Sequence, residues 1–200
     1  MPPTPQKVIL ASSSKYRNAL LKNIIPNFQC ASPNIDESKI ENESIESMVE
    51  RLAVTKAQVI AAKNPNALII GSDQAAMFNN NVIGKPKNHD DAVEHLLAVS
   101  GKSITLHTGV ALINSQSNTI QSTIVPSTVV FRTLNEKLIN AYLRRDQPYD
   151  CAGSVKIESL GIMLVERIHS DDPNALIGLP LIQLVTMLDN ENYNLLTNTR

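Results

Sequence analysis

Short apolar runs alternate with longer segments whose apolar residues recur at helical spacing, the pattern of an α/β chain. Val8 to Ala11 reads as a first strand. Ser12-Ser13-Ser14 offers hydroxyls at a helix start, and Lys15 to Lys22 carries Ala19, Leu20 and Leu21 on one side. Ile45 to Ala62 is a longer helix, with Met48, Val49, Leu52, Val59 and Ile60 spaced for burial and Asn64-Pro65-Asn66 as its stop. The run Ala67-Leu68-Ile69-Ile70 reads as a buried strand that breaks into Gly71-Ser72-Asp73-Gln74, with Gly84-Lys85-Pro86-Lys87 as a turn within hairpin distance. Asn88 to Val99 is a further helix ended by Ser100-Gly101. Thr105 to Ile113 and Thr119 to Arg132 form a long hairpin across the polar linker Asn114 to Asn118. Leu134 to Arg145 is helical, Gly161 to Ile168 a strand, and Leu181 to Leu188 the last helix. Parallel-type elements gather at both ends with the hairpin between them. This predicts a mixed, curved sheet flanked by helices, in two lobes with a central cleft. The chain reads as one domain over 1–200, with flexible ends at about 1–7 and 190–200.

Charge narrows the partners. With 18 basic against 19 acidic residues the net charge is −1, so no global field attracts a nucleic-acid polymer or an anionic membrane, and any anion must be bound locally. No apolar run approaches the roughly 20 residues of a membrane span, and the Met1-Pro2-Pro3-Thr4-Pro5-Gln6 start lacks the features of a signal peptide. A cytoplasmic protein is expected. Cys30 and Cys151 have no CxxC spacing and are expected to be buried thiols. The four histidines show no metal-ligand spacing and are expected at the surface or core edge.

Candidate chemistry concentrates at strand ends. A carboxylate such as Asp73 at the end of a buried strand is partly desolvated, and so suited to binding a hard cation or taking a proton from water. Lys85, on a Pro-stiffened turn, brings positive charge. The Ser12–Ser14 turn before a helix could hold an anion through N–H groups and hydroxyls, with Arg17 adding a bidentate grip. The plainer alternatives are a turn-capping Asp73, a solvated Lys85 and N-capping serines.

Taken in order, Leu10-Ala11-Ser12-Ser13-Ser14-Lys15-Tyr16-Arg17, Ile35-Asp36-Glu37, Lys56, Gly71-Ser72-Asp73-Gln74, Gly84-Lys85-Pro86, Ser100-Gly101-Lys102, Thr108-Gly109, Ala152-Gly153-Ser154 and Gly178-Leu179-Pro180-Leu181 resemble the Maf family of nucleoside triphosphate pyrophosphatases, from about Val8 to about Leu188. The resemblance implies a Maf-type, ITPase-like fold, a homodimer, a divalent metal such as Mg²⁺ or Mn²⁺, and cleavage of a nucleoside triphosphate to a monophosphate and pyrophosphate. By position it makes Asp73 the catalytic proton acceptor, and Ser12, Ser14, Arg17, Lys56 and Lys85 the phosphate-binding set. It also brings Glu37 to the metal site with Asp73, and leaves open how the two carboxylates divide the holding of the metal and the activation of its water.

Besides Lys15 in place of a proline and Ser72 in place of an alanine, three departures from the commoner family pattern bear on the base: Tyr16 stands for an arginine, Gln74 for a threonine and Glu158 for a glutamine. One cation is lost and one anion gained, which suits a positively charged base. A 7-methylguanine ring is cationic, stacks on aromatic faces and offers N–H donors that a carboxylate accepts in pairs. The same three positions resemble the family's 7-methyl-GTP branch. The expected function is hydrolysis of 7-methyl-GTP in nucleotide house-cleaning. The alternatives are a pyrimidine triphosphate pyrophosphatase and a non-catalytic nucleotide-binding regulator of cell division.

Overall fold

The computed structural model describes residues 6–79 and 81–196; residues 1–5 and 197–200, within the expected flexible ends, lie outside it. The elements are β1 (Lys7–Leu10), α1 (Lys15–Lys22), β2 (Gln29–Cys30), α2 (Ile45–Ala61), β3 (Ala67–Phe78), β4 (Asn81–Ile83), α3 (His89–Val99), β5 (Ser103–Asn114), β6 (Thr119–Phe131), α4 (Glu136–Asp146), β7 (Val165–Ser170) and α5 (Leu181–Asn190). Short 3-10 turns fall at Ala152–Ser154, Leu160–Leu164 and Pro173–Ile177. Among the described residues, seven strands form one mixed sheet in the order β2-β1-β3-β5-β6-β7, with β4 paired to β3. β1 runs parallel to β2 and β3, while β3–β4 and β6–β7 are antiparallel. No helix among the described residues is long and apolar enough to cross a membrane.

The chain divides into two compact units. The first takes in the chain to Gln74, Thr108–Val125 and the chain from Asp172; the second takes in Ala75–His107 and Pro126–Asp171. In the first unit, strand periodicity sorts side chains to two faces. Val8, Leu10, Leu68, Ile70, Val110 and Leu112 pack with Leu20, Leu21 and Ile25 around α1 and Leu184 and Leu188 of α5. Ile9, Ala11, Ala67, Ile69 and Ile113 face the other way, onto Ala57 and Ile60 of α2. Both strand faces are apolar because helices cover both. The helix starts are capped: Ser14, within the expected serine turn, and Ser44, Asn88 and Asn135, none of them among the caps expected from sequence, each accept a backbone N–H in the first turn. In the second unit α3 packs on α4.

Four expectations are corrected. β3 does not end at Gly71 but continues to Phe78, so Asp73 lies within a strand. The polar residues there do not break it because each has a partner across the sheet surface. The hairpin turn that follows joins β3 to β4, and Gly84-Lys85-Pro86 comes after β4. The expected strand from Gly161 to Ile168 is a 3-10 turn to Leu164 followed by β7, since Gly161 sits where a Cβ would stand 2.3 Å from the Lys156 carbonyl oxygen. The cysteines form no disulfide among the described residues, and they are not buried. Cys30 is exposed and Cys151 intermediate, and Cys30 lies on a two-residue strand whose residues are both exposed.

Candidate active site

Two glycines let α2 lie directly on the sheet. A Cβ at Gly71 would stand 2.1 Å from the Ala53 carbonyl oxygen, and one at Gly109 would stand 2.5 Å from that of Val49. Any side chain at either position would push the helix away. With α2 seated this closely, Lys56, one turn beyond Leu52, faces Asp73, two residues beyond Gly71 and on the same face of β3. Lys56 Nζ donates to Asp73 Oδ1 at 2.6 Å and lies 2.9 Å from Glu37 Oε1. Lys56 and Asp73 are both buried, at 5% and 7% exposure, while the Glu37 side chain is 57% exposed. A buried ammonium persists only when its charge is met; here two carboxylates meet it.

Glu37 sits on a loop that α2 also holds. Arg51 Nε donates to Glu43 Oε1 at 2.6 Å, and Arg51 Nη2 donates to Glu43 Oε2 at 2.8 Å and to the Ser38 carbonyl at 3.2 Å. This forked pair holds the Glu43 carboxyl down at about 2, with the Arg51 hydrogen bonds as the leading cause.

Arg17 reaches the same region from α1. Its Nε donates to the Gly178 carbonyl at 2.8 Å, which leaves the two terminal nitrogens of the fork without a hydrogen bond among the described residues. Burial holds the guanidinium below its ordinary value, and the charges of Asp73 and Glu37 pull it back up. Those couplings place Arg17 within electrostatic reach of both carboxylates. The serines act first as caps: Ser12 Oγ accepts from Ser14 N at 3.1 Å and Ser14 Oγ from Arg17 N at 3.4 Å. Those two N–H groups are thereby committed within the turn.

The neighbours of Asp73 on β3 face away from it. Ser72 Oγ lies 2.8 Å from both the Gly109 and Gly178 carbonyls. Gln74 Nε2 donates to Thr108 Oγ1 at 2.9 Å, the Ala175 carbonyl at 2.8 Å and the Leu176 carbonyl at 3.2 Å. Two carbonyl acceptors oblige the nitrogen end of the amide to lie there, so Gln74 presents only its oxygen elsewhere. Strand alternation thus separates Gln74 from Asp73.

The turn that receives these contacts had no assigned role in the sequence, although Thr108-Gly109 and Gly178-Leu179-Pro180 were visible as motifs. Asp172 builds it. Its fully buried carboxylate accepts from Asn174 N at 2.9 Å and from Ile182 N, in the first turn of α5, at 2.7 Å. Gly178 then closes the turn at φ 112°, a conformation open mainly to glycine. Tyr16 is half-buried, and Lys15 Nζ lies 4.9 Å from its ring centroid; the ring is already a cation platform. Lys85 and Glu158 belong to the second unit and are exposed, Lys85 after β4 and Glu158 in the turn at residues 157–159.

Among the described residues no group of three or more His, Cys, Asp or Glu side chains could hold a metal ion. Two carboxylates nevertheless converge on one cation, the Lys56 ammonium. That donor set suits a hard ion of the Mg²⁺ type, which is commonly held by one or two carboxylates with phosphate oxygens and water completing its shell. His89 bonds Tyr149 and Asn140, His95 bonds Ser154, and His107 is buried.

Residues 7–191 match the family described as Maf-like protein. The chain belongs to the Maf family. Its relatives span almost its whole length. A 7-methyl-GTP pyrophosphatase of Nitrosococcus oceani is 46% identical over 97% of this chain and 98% of its own. Proteins of the same description from Pseudomonas aeruginosa and Pseudomonas fluorescens are 47% and 49% identical, over 94% and 90% of this chain and 98% and 94% of their own. Among solved structures, a HAM1 protein from Coxiella burnetii covers 92% of this Maf-family chain and 99% of its own at 13% identity and TM-score 0.48, a likeness too slight to bear on function.

Proposed function

We propose that this Maf-family protein is a nucleoside triphosphate pyrophosphatase whose preferred substrate is 7-methyl-GTP, cleaved to 7-methyl-GMP and pyrophosphate. The observation that carries the reading is the buried Lys56–Asp73 pair, with Glu37 on the same ammonium and Arg17 within reach. Hydrolysis at the α-phosphorus is chiefly a matter of positioning a water and neutralising phosphate charge. Lys56 occupies Asp73 Oδ1, so Oδ2 is the oxygen that accepts the proton of the attacking water. Arg17, through its uncommitted terminal nitrogens, binds phosphate oxygens, joined by the hydroxyls of Ser12 and Ser14 and by Lys56 and Lys85. Asp73 and Glu37 are the carboxylates that would hold a divalent ion. When bound, Mg²⁺ or Mn²⁺ supplies charge neutralisation and lowers the pKa of its water.

Tyr16, Gln74 and Glu158 are the proposed specificity residues. Tyr16 offers a ring already compatible with a cation, Gln74 a carbonyl oxygen, and Glu158 an exposed carboxylate. The names of three relatives support the substrate. A cytoplasmic location, a homodimer and a single domain formed by both units complete the proposal.

The test is pyrophosphate release from a panel of nucleotides with Mg²⁺ or Mn²⁺. 7-Methyl-GTP should give the highest kcat/KM, and Asp73→Asn should abolish turnover while leaving the circular dichroism unchanged. Release from no nucleotide would overturn the enzyme claim, and preference for a pyrimidine triphosphate would overturn the substrate.

A further inference from the structure

The turn bearing Glu158 is tied at both ends to the C-terminal end of α4. The backbone N–H of Lys156 donates to the Tyr142 hydroxyl at 2.9 Å. Its ammonium donates to the carbonyls of Asp146 at 2.8 Å and Gln147 at 3.1 Å, capping a helix end where unpaired carbonyls concentrate negative potential. Three residues on, Ser159 Oγ donates to Asp146 Oδ1 at 2.6 Å, and Ser159 N returns to the Lys156 carbonyl at 3.2 Å. Gly161 seals the return, since a Cβ there would strike the Lys156 carbonyl. Tyr142 is buried, and that burial pushes its phenol above the ordinary range, so it stays a neutral hydroxyl. Glu158, at the tip, is exposed and carries no hydrogen bond among the described residues.

The two charges of this turn are thus separated by design of the contacts. Lys156, the nearest cation in sequence, spends its ammonium on α4 and lies 3.8 Å from Asp150 Oδ1, leaving the Glu158 carboxylate unneutralised. A tip fixed at both ends also loses less freedom when it engages a ligand. We infer that Tyr142, Asp146, Lys156 and Ser159 form a clamp that positions Glu158, making the end of α4 a determinant of base selectivity. This rests on the reading of Glu158 as a carboxylate that recognises the base.

The experiment compares kcat/KM for 7-methyl-GTP and for GTP in the full-length protein carrying Ser159→Ala, Ser159→Thr, Lys156→Met, Glu158→Gln, or Ser159→Ala with Glu158→Gln. Ser159→Ala and Lys156→Met should each lower the 7-methyl-GTP to GTP ratio on the order of 10-fold, as misplacement of a positioned group does. Ser159→Thr, which keeps the hydroxyl, should restore it. Added to Glu158→Gln, Ser159→Ala should change the ratio no further, because the clamp acts through that carboxylate. Parallel losses on both substrates, or an undiminished Ser159→Ala effect without Glu158, would overturn the clamp. If Glu158→Gln alone leaves the ratio unchanged, the reading of Glu158 fails and the clamp falls with it, a result recognisable in that single variant.

Discussion

At the residue scale, the candidate site is built by pairing polar atoms rather than by exposing them. Gln74 shows how strictly chemistry then constrains identity. Its amide nitrogen serves the Ala175 and Leu176 carbonyls, so a glutamate there would set carboxylate oxygen against carbonyl oxygen. Gln74→Glu should cost about 1–3 kcal/mol of stability, read by denaturant unfolding. Asp73, Lys56 and Arg17 could be picked out from sequence by charge and motif. Their pairing could not, because Lys56 and Asp73 are 17 positions apart and meet only when α2 lies on β3. Gln74 was legible as a position of interest, but its facing away from Asp73 depended on β3 continuing past Gly71.

At the element scale, α2 is the part that assembles the site, and its seating depends on the absence of two side chains. Gly71→Ala places a methyl against backbone, which cannot rotate aside; it should destabilise by about 1–3 kcal/mol and, by lifting Lys56 from Asp73, lower kcat more than KM. Steady-state kinetics beside thermal unfolding would check both halves. The loop leading into α2 responds to acid. Glu43 titrates near 2 when folded against an ordinary value of 4.5, so its contribution is fully present above about 4.5 and disappears as pH falls toward 2. Stability measured across that window should decline with a component that Glu43→Gln removes. Helix starts are legible in the sequence since capping is local; β3 runs further than its sequence suggests because glycine and polar residues signal a break unless tertiary partners satisfy them.

At the scale of the whole molecule, β3, β5 and β6 each run from one compact unit into the other. Unfolding either unit would therefore disrupt strands shared by both. A single cooperative transition is expected, with far-ultraviolet circular dichroism and tyrosine fluorescence coincident in denaturant; separated transitions would show two independently folding units. Light scattering of the purified protein would test the proposed homodimer, and an equal-mass monomer peak would count against it.

The sequence by itself determined the α/β class, the buried faces of the helices, most helix boundaries and the family, because periodicity, capping and ordered motifs are written within short windows of chain. Tertiary structure alone decided that Gly71 and Gly109 exist to admit α2, that Asp172 and Gly178 shape a turn receiving Arg17, Ser72 and Gln74, and that Lys156 is held by α4 rather than by its neighbour Glu158. Each of these is a contact between residues distant in sequence, and no local propensity encodes which distant partner will satisfy a buried polar atom.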